Sequence, residues 1–257
     1  MRGLVTALRT LTVIPVPGKE GEHLSDSLPW FPVAGLALGA LFYLLARLWL
    51  EILGDSWSSG GGALILFETI ILTRGLHLDG LADWADALGI RKGRKQRLAV
   101  MKDPHLGSFG VLALISLLLL KWAALSRLLA SGSILWLLAI GTVSRGMMVE
   151  LITTLPYARS GEGTARPFLE GARPKHRFLA FSITLALCLW PGPVGLVLFG
   201  AGWIVTHIMR YFYKKGFGGI TGDLLGANCE IVETVLLFLC ALPGERLLPV
   251  TGWSWLQ

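Results

Sequence analysis

The chain has 257 residues, 53% of them hydrophobic and only 16% charged, with a formal net charge of +6. A soluble domain carries roughly 25% charged residues, so this composition excludes an ordinary soluble globular protein. Its positive balance sits in short polar segments between long apolar runs, which reads as the cytoplasmic face of a membrane protein and not as a nucleic-acid surface.

The opening MRGLVTALRTLTVIPVPGKEG has too short an apolar core for a signal peptide, and no small-residue cleavage site follows it. A membrane span needs about 20 mostly apolar residues, and residues 31–53 supply the first. A glycine and serine turn at 55–62 leads to a shorter run, 63–78, which contains Glu68 and Arg74. A polar segment covers 79–105. Two further spans, 107–129 and 134–155, are separated by little more than Ser131-Gly132-Ser133. A second polar segment covers 157–177. The run 178–190 is short, and Pro191-Gly192-Pro193 ends it. Residues 194–213 form another span, 214–228 a third polar segment, and 231–242 the last apolar run.

These runs predict an all-α, polytopic helical bundle of about seven transmembrane helices, with residues 1–257 as one integral membrane domain. If the fifth run merged with the sixth, the topology of the last third would invert. Charge counting tests the layout. The N-terminus, 74–105, 157–177 and 210–216 share one face and hold 18 of the 23 lysines and arginines. By the positive-inside rule that face is cytoplasmic, with Lys95, Arg173 and Lys215 inside and Ser58, Ser131 and the C-terminus outside. Cys188, Cys229 and Cys240 have no metal-ligand spacing and read as apolar filler.

The densest chemistry is GLHLDGLADWADALG, residues 75–89. Asp79, Asp83 and Asp86 stand at i, i+4 and i+7, one face of a helix. Three carboxylates there repel one another unless a cation sits between them, and oxygen-only ligands favour a hard ion, Mg²⁺ or Mn²⁺. His77 lies beside them. The basic stretch RKGRKQRLAVMKDPHLGSFG, 91–110, places Asp103, Gly107, Ser108 and Gly110 at the mouth of a span, where a glycine-rich helix start offers N–H groups to an anion. The stretch KKGFGGITGDLLGANCEIVE, 214–233, brings Thr221, Asp223 and Asn228, then Glu230 and Glu233 at i and i+3. Such carboxylates are costly in an apolar run unless they face a polar interior. Arg145, Glu150 and Glu68 also lie inside apolar runs, whereas Lys121 and Arg127 read as side chains that snorkel. The segment YARSGEGTARPF, 157–168, offers Arg159 and Arg166 for phosphate.

No Walker A loop, dinucleotide fingerprint or serine elbow is present. Acidic clusters, arginines and glycine turns on one face suggest transfer of a phosphate-linked group from a nucleotide-activated donor, with Mg²⁺ on the diphosphate and a carboxylate taking the proton of an attacking alcohol.

The segments LHLDGLADWADALG, MKDPHLGSFG and GGITGDLLGANCEIVE, in this order, with the RTLTVIPVP start and the FPVAGLALGA opening of the first span, resemble the cobalamin synthase family, the adenosylcobinamide-GDP ribazoletransferases. The resemblance covers nearly the whole chain. It implies that a ribose hydroxyl of α-ribazole, or of its 5′-phosphate, attacks the cobinamide-bearing phosphate and GMP leaves, with Mg²⁺ required. It implies that Asp79, Asp83, Asp86, Asp103, Asp223, Asn228, Glu230 and Glu233 match the family's acidic motifs. We expect Asp79, Asp83, Asp86, Asp103, Asp223 and Glu230 to be catalytic, all but Asp103 of these to hold the metal, and Arg145, Arg159, Arg166, His77, Gly107, Ser108, Gly110, Thr221, Asn228 and Glu233 to bind substrate. Trp84 departs from the family's pattern, where a small polar residue is expected. The expected setting is the prokaryotic inner membrane with the site facing the cytoplasm, and the expected partners extend to other enzymes of the pathway and to further copies of the chain.

Two rivals stand beside this reading. A CDP-alcohol phosphotransferase has similar chemistry, but here Gly80-Leu81-Ala82 is followed by Asp83 and not by arginine. A transporter would line a path at mid-membrane with its polar groups, whereas most of these acids gather at one face.

Overall fold

The computed structural model describes residues 2–90, 93–161, 163–190 and 192–246. Arg91 and Lys92 of the basic stretch, and the C-terminus, lie outside the described residues. The chain is a helical bundle: α1 (Arg2–Leu11), a 3₁₀ helix (Leu24–Trp30), α2 (Phe31–Leu53), α3 (Ser58–Thr73), α4 (Leu76–Leu88), α5 (Arg94–Val100), α6 (Ser108–Ala130), α7 (Trp136–Thr154), α8 (Arg166–Glu170), α9 (Pro174–Leu189), α10 (Val194–Phe217) and α11 (Gly222–Ala241).

Five of these segments are long and apolar enough to cross a membrane: the 3₁₀ helix with α2, α6, α7, α10 and α11. The pair α3 and α4 passes the same test together, but it is bent by 90°. α9 has 16 residues, about 24 Å of helix against a hydrocarbon core of about 30 Å. Of the seven expected crossings, α3 and α9 are therefore the short ones.

α7 is the hub, buried along almost its whole length. Small residues let its neighbours close on it, as in many membrane helix pairs. Gly35 and Gly39 of α2 meet the backbone of Gly141 and Leu137, Gly146 faces Thr184 of α9, and Gly202 of α10 faces Val143. A Cβ on Gly35 would collide with the carbonyl of Gly141. Outward, α2 presents Leu44, Leu48 and Ile52, α6 presents Leu112, Ile115 and Leu119, and α10 presents Val197, Ile204 and Ile208. Such a girdle is stable only against lipid.

Three boundaries differ from the sequence expectation. The second apolar run does not continue to residue 78, because Arg74 (φ 54°) and Gly75 (φ 64°) both take the left-handed conformation and turn the chain into α4. The third polar segment is mostly helix: α10 runs on to Phe217, Gly218 ends it at φ 71°, and α11 starts at Gly222. Thr221 caps α11 by accepting the Leu224 N–H at 3.3 Å. Glu230 and Glu233 thus sit mid-helix and not at the start of the last run.

The connections that follow α4, α7 and α10 meet at one end of the bundle: Arg94 reaches the Ala158 carbonyl, Arg159 reaches the Met101 carbonyl, and Ala158 and Ile220 pair backbone to backbone. Ser133 hydrogen-bonds Gly244 at the other end. Labelling with a membrane-impermeant thiol reagent checks this. Ser58 and Ser131 are buried, so cysteines are placed at the exposed neighbours Ser56 and Ala130, and at Lys95, Arg173 and Lys215. The first two are expected to label from outside intact cells and the other three only after lysis. The native cysteines are buried and leave a low background.

Candidate active site

Helix α4 and the first turns of α11 run antiparallel in backbone contact. A Cβ on Gly80 would stand 2.5 Å from the carbonyl oxygen of Asp223, and one on Gly226 would stand 3.0 Å from the Cα of His77. The two glycines allow an approach that any side chain would block. It sets the acids of α4 beside the start of α11. Asp83 is half-buried, with Asp223, Asp79 and Asp86 as like-charged neighbours and the guanidinium of Arg159 opposing them.

Asp223 accepts a hydrogen bond from Arg159 Nη2 at 2.8 Å and one from the Thr221 hydroxyl at 3.2 Å. Arg159 is held in turn: its Nη2 also donates to the Met101 carbonyl at 3.1 Å. Its segment lies along residue 220, with Ala158 N–H to Ile220 O and Ile220 N–H to Pro156 O both at 2.9 Å. Arg94 donates to the Ala158 carbonyl at 2.8 Å.

The glycine turn before α6 does meet an anion, but it is the protein's own. The N–H groups of Gly107 and Gly110 each donate to the Asp86 carboxylate at 2.8 Å. Asp86 therefore ties the positive end of α6 to α4. Ser108, the first residue of α6, is exposed.

Other expected site residues stand apart. Asp103 is exposed and accepts from the His105 N–H at 3.0 Å and pairs with its ring Nδ1 at 2.6 Å, which holds its carboxyl below the usual range. Arg166 pairs with Glu170 one turn along α8 at 2.6 Å. Among the described residues, no hydrogen bond or ion pair joins either to the α4–α11 acids.

A second charged group lies deeper, inside the bundle. Lys121 Nζ donates to Glu230 at 2.6 Å and to Glu233 at 2.7 Å. Arg145 donates to the other oxygen of Glu233 and to the Ser144 hydroxyl. Arg145 is 0% exposed and Lys121 1%. Lys121 does not snorkel, because two carboxylates from α11 hold it within the bundle. Asn228, two residues before Glu230, donates to the Thr206 hydroxyl at 3.4 Å. Glu230, Glu233, Arg145 and Asn228, expected as metal or substrate contacts, are thus engaged with the protein itself. Glu150 lies 3.8 Å from Arg177 and 3.7 Å from His207.

Two cavities open beside the α4–α11 acids. One, of about 280 Å³, is bordered by Phe31, His77, Met148, Phe168, Asp79 and Asp223 among others. The second, of about 520 Å³, is bordered by Arg9, Arg74, Leu114 and Leu118 among others. Asp79 borders both. Trp84 turns away to pack edge-on against Tyr213, with ring centroids 6.2 Å apart. No motif marks Arg9, Phe31 or Phe168 as site residues, and Arg74 reads in the sequence only as a charge within the second apolar run; isolated arginines and phenylalanines far apart in the chain carry no spacing signal. Among the described residues, no three His, Cys, Asp or Glu side chains are arranged to hold a metal ion by themselves.

Comparison with known proteins gives a consistent result. The family model for cobalamin-5-phosphate synthase matches residues 3–241. An adenosylcobinamide-GDP ribazoletransferase of Chlorobaculum parvum is 43% identical over 247 residues, covering 94% of this chain and 96% of its own. That of Chlorobaculum tepidum is 42% identical over 246 residues, covering 94% and 96%. That of Syntrophobacter fumaroxidans is 38% identical over 244 residues, covering 92% and 96%. No solved structure matches.

Proposed function

The chain belongs to the cobalamin-5-phosphate synthase family, and from that premise we infer that it is an adenosylcobinamide-GDP ribazoletransferase working at the cytoplasmic face of a prokaryotic inner membrane. A ribose hydroxyl of α-ribazole, or of its 5′-phosphate, attacks the phosphorus that carries cobinamide. A new phosphodiester forms, the bond between the two phosphates breaks, and GMP leaves with the electron pair.

One observation carries the reading above the others: Asp79, Asp83, Asp223 and Arg159 converge from three chain segments beside two cavities that share Asp79. Two substrates and one reaction centre call for that plan. Asp223 borders the smaller cavity only and is oriented by Arg159 and Thr221. We assign it to the acceptor hydroxyl, whose proton it takes. Arg74, exposed on the larger cavity, suits the donor's phosphates, whereas Arg9 there is held by Glu20 and by the Val16 and Gly18 carbonyls.

The donor set suits Mg²⁺. It is oxygen-only, and Mg²⁺ is commonly bound through one or two carboxylates, waters and substrate phosphates and not by a full protein cage. Asp79 and Asp83 would hold it. When bound, it would offset charge on the diphosphate and stabilise the leaving phosphate. Asp86 and Glu230, already paired with Gly107, Gly110 and Lys121, support the helices that carry these ligands.

The deciding assay uses purified protein with adenosylcobinamide-GDP and α-ribazole, with and without Mg²⁺, and follows GMP and the corrinoid product. Equimolar GMP and adenosylcobalamin, dependent on Mg²⁺, are expected. GMP release without ribazole incorporation would make the protein a hydrolase, and turnover of a CDP-alcohol would transfer it to the rival family.

A further inference from the structure

We infer that the 280 Å³ cavity is the seat of the acceptor's base, and that its walls select a flat, largely apolar azole with one unsubstituted ring nitrogen. This rests on the reading that the chain transfers to ribazole, and it adds which cavity takes that substrate and which residues choose its base.

Size comes first. Small-molecule pockets run from about 300 to 1,000 Å³, and this one stands just below that range. It holds one bicyclic ring and part of a sugar, and it cannot hold a corrin macrocycle with a nucleotide attached.

Wall chemistry comes next. Phe31, at the start of α2, and Phe168, on α8, meet edge to face, with ring centroids 6.0 Å apart and planes at 64°. Both line the cavity, and Met148 of α7 lines it too. Aromatic and thioether surfaces favour a planar ring with few polar groups. The donor's guanine presents several donors and acceptors along its edge, and these would lose water against such walls without replacement. A benzimidazole presents one free ring nitrogen once the other is bonded to ribose.

The third observation supplies that nitrogen's partner. His77 lines the cavity, is 2% exposed, and its Nδ1 has no hydrogen-bond partner. A buried imidazole nitrogen left unpaired is uncommon. Nδ1 has almost no accessible surface of its own, so it meets the base when the imidazole turns toward the cavity; in the tautomer with hydrogen on Nδ1 it then donates to the ring nitrogen of the base. Asp79 and Asp223 border the same space, so a base lodged among Phe31, Phe168 and His77 puts its ribose hydroxyls beside the carboxylates.

The test measures initial rates of the full-length protein in detergent with donor and acceptor varied independently. Two acceptors are compared: α-ribazole, and the indole riboside of the same shape, which lacks the free nitrogen. The native protein should prefer ribazole by about tenfold or more in kcat/KM, because a site built around a hydrogen bond rejects the analogue that cannot make it. His77→Ala should bring that ratio to about one. Phe168→Ala should raise the KM for ribazole by about tenfold while the donor KM stays within about twofold. Phe168→Leu, which keeps apolar volume but loses the flat face, carries the same expectation if the alanine variant is not recovered. Free benzimidazole should compete with ribazole and not with the donor. A His77→Ala protein that keeps the native preference, or a Phe168 variant whose donor KM moves instead, overturns the assignment. Failure of the underlying function has a different signature, since native protein would then form no product from ribazole at all.

Discussion

Replacing Asp79 or Asp83 by asparagine is expected to lower the transfer rate by roughly 10²- to 10⁴-fold, the range associated with losing a positioned catalytic group, while the protein still folds. Asparagine keeps the size and one carbonyl oxygen of each side chain and removes the charge. Asp79 is exposed and borders both cavities, and Asp83 is half-buried among three other carboxylates. Neither change orphans a buried partner, and the repulsion within the cluster falls. Both variants should also need more Mg²⁺ for half-maximal rate, because the ion loses a charged ligand. Asp86→Asn should behave differently. Its carboxylate holds the Gly107 and Gly110 N–H groups, so the change weakens a charge-assisted helix cap by about 1 kcal/mol and leaves the Mg²⁺ midpoint in place. The measurement is a Mg²⁺ titration of initial rate for each variant, beside its thermal unfolding midpoint in detergent. Should Asp79→Asn and Asp83→Asn match the parent in rate and midpoint, the α4 carboxylates are only solvated charges.

How far the sequence could be read depended on whether a feature was local. The multi-pass bundle was legible because span length and charge bias need no tertiary information. The helical spacing of Asp79, Asp83 and Asp86 was equally local, and α4 contains all three. The break at Arg74 was not legible. A left-handed arginine has no sequence signature, and the apolar run continued past it. Likewise the run 214–228 looked like a loop because it is rich in glycine and polar residues. Its glycines serve helix contacts: Gly226 lets α11 touch α4, and Gly218 is the left-handed end of α10. Pairing was the least accessible level. The GSFG turn reads as a helix start that offers N–H groups to a substrate anion, whereas in the structure Gly107 and Gly110 give theirs to Asp86, about one helix away in sequence. Lys121 and Glu230 are 109 residues apart, and nothing in either segment names the other. The two phenylalanines of the smaller cavity come from α2 and α8, and only the fold unites them.

The buried charges lead to the second large effect: Arg145→Leu is expected to abolish recovery of folded protein. Lys121, Arg145, Glu230 and Glu233 form a group of two cations and two anions with almost no exposure. Leucine at 145 leaves two carboxylates facing one ammonium in the interior of the bundle. Breaking a buried pair by removing one partner costs about 3–5 kcal/mol, comparable to the whole stability of many proteins, which is about 5–15 kcal/mol. The substrate-binding role expected of Arg145 would let this variant fold and lose only activity. Burial changes that expectation, because Arg145 reaches Glu233 and is 0% exposed. Removing the partner as well should restore the fold. In Arg145→Leu with Glu233→Leu, Lys121 still holds Glu230 at 2.6 Å, no charge is left unmatched, and two apolar side chains fill the space. Replacing both members of a buried pair is often neutral or stabilising. The readout is the yield of monodisperse protein in detergent and its unfolding midpoint for the parent, the single variant and the double variant. A single variant with the parent's yield and midpoint would remove the cluster from the account of folding. The double variant's activity then separates two roles. His77 stands close enough to Arg145, Glu233 and Lys121 to feel their charges, so the cluster lies behind the cavity that His77 lines. If the double variant folds and turns over normally, the four charges serve only to join α6, α7 and α11. If it folds but loses rate on ribazole while donor affinity is unchanged, the cluster also fixes the position of α4, and through it the carboxylates that meet the substrate.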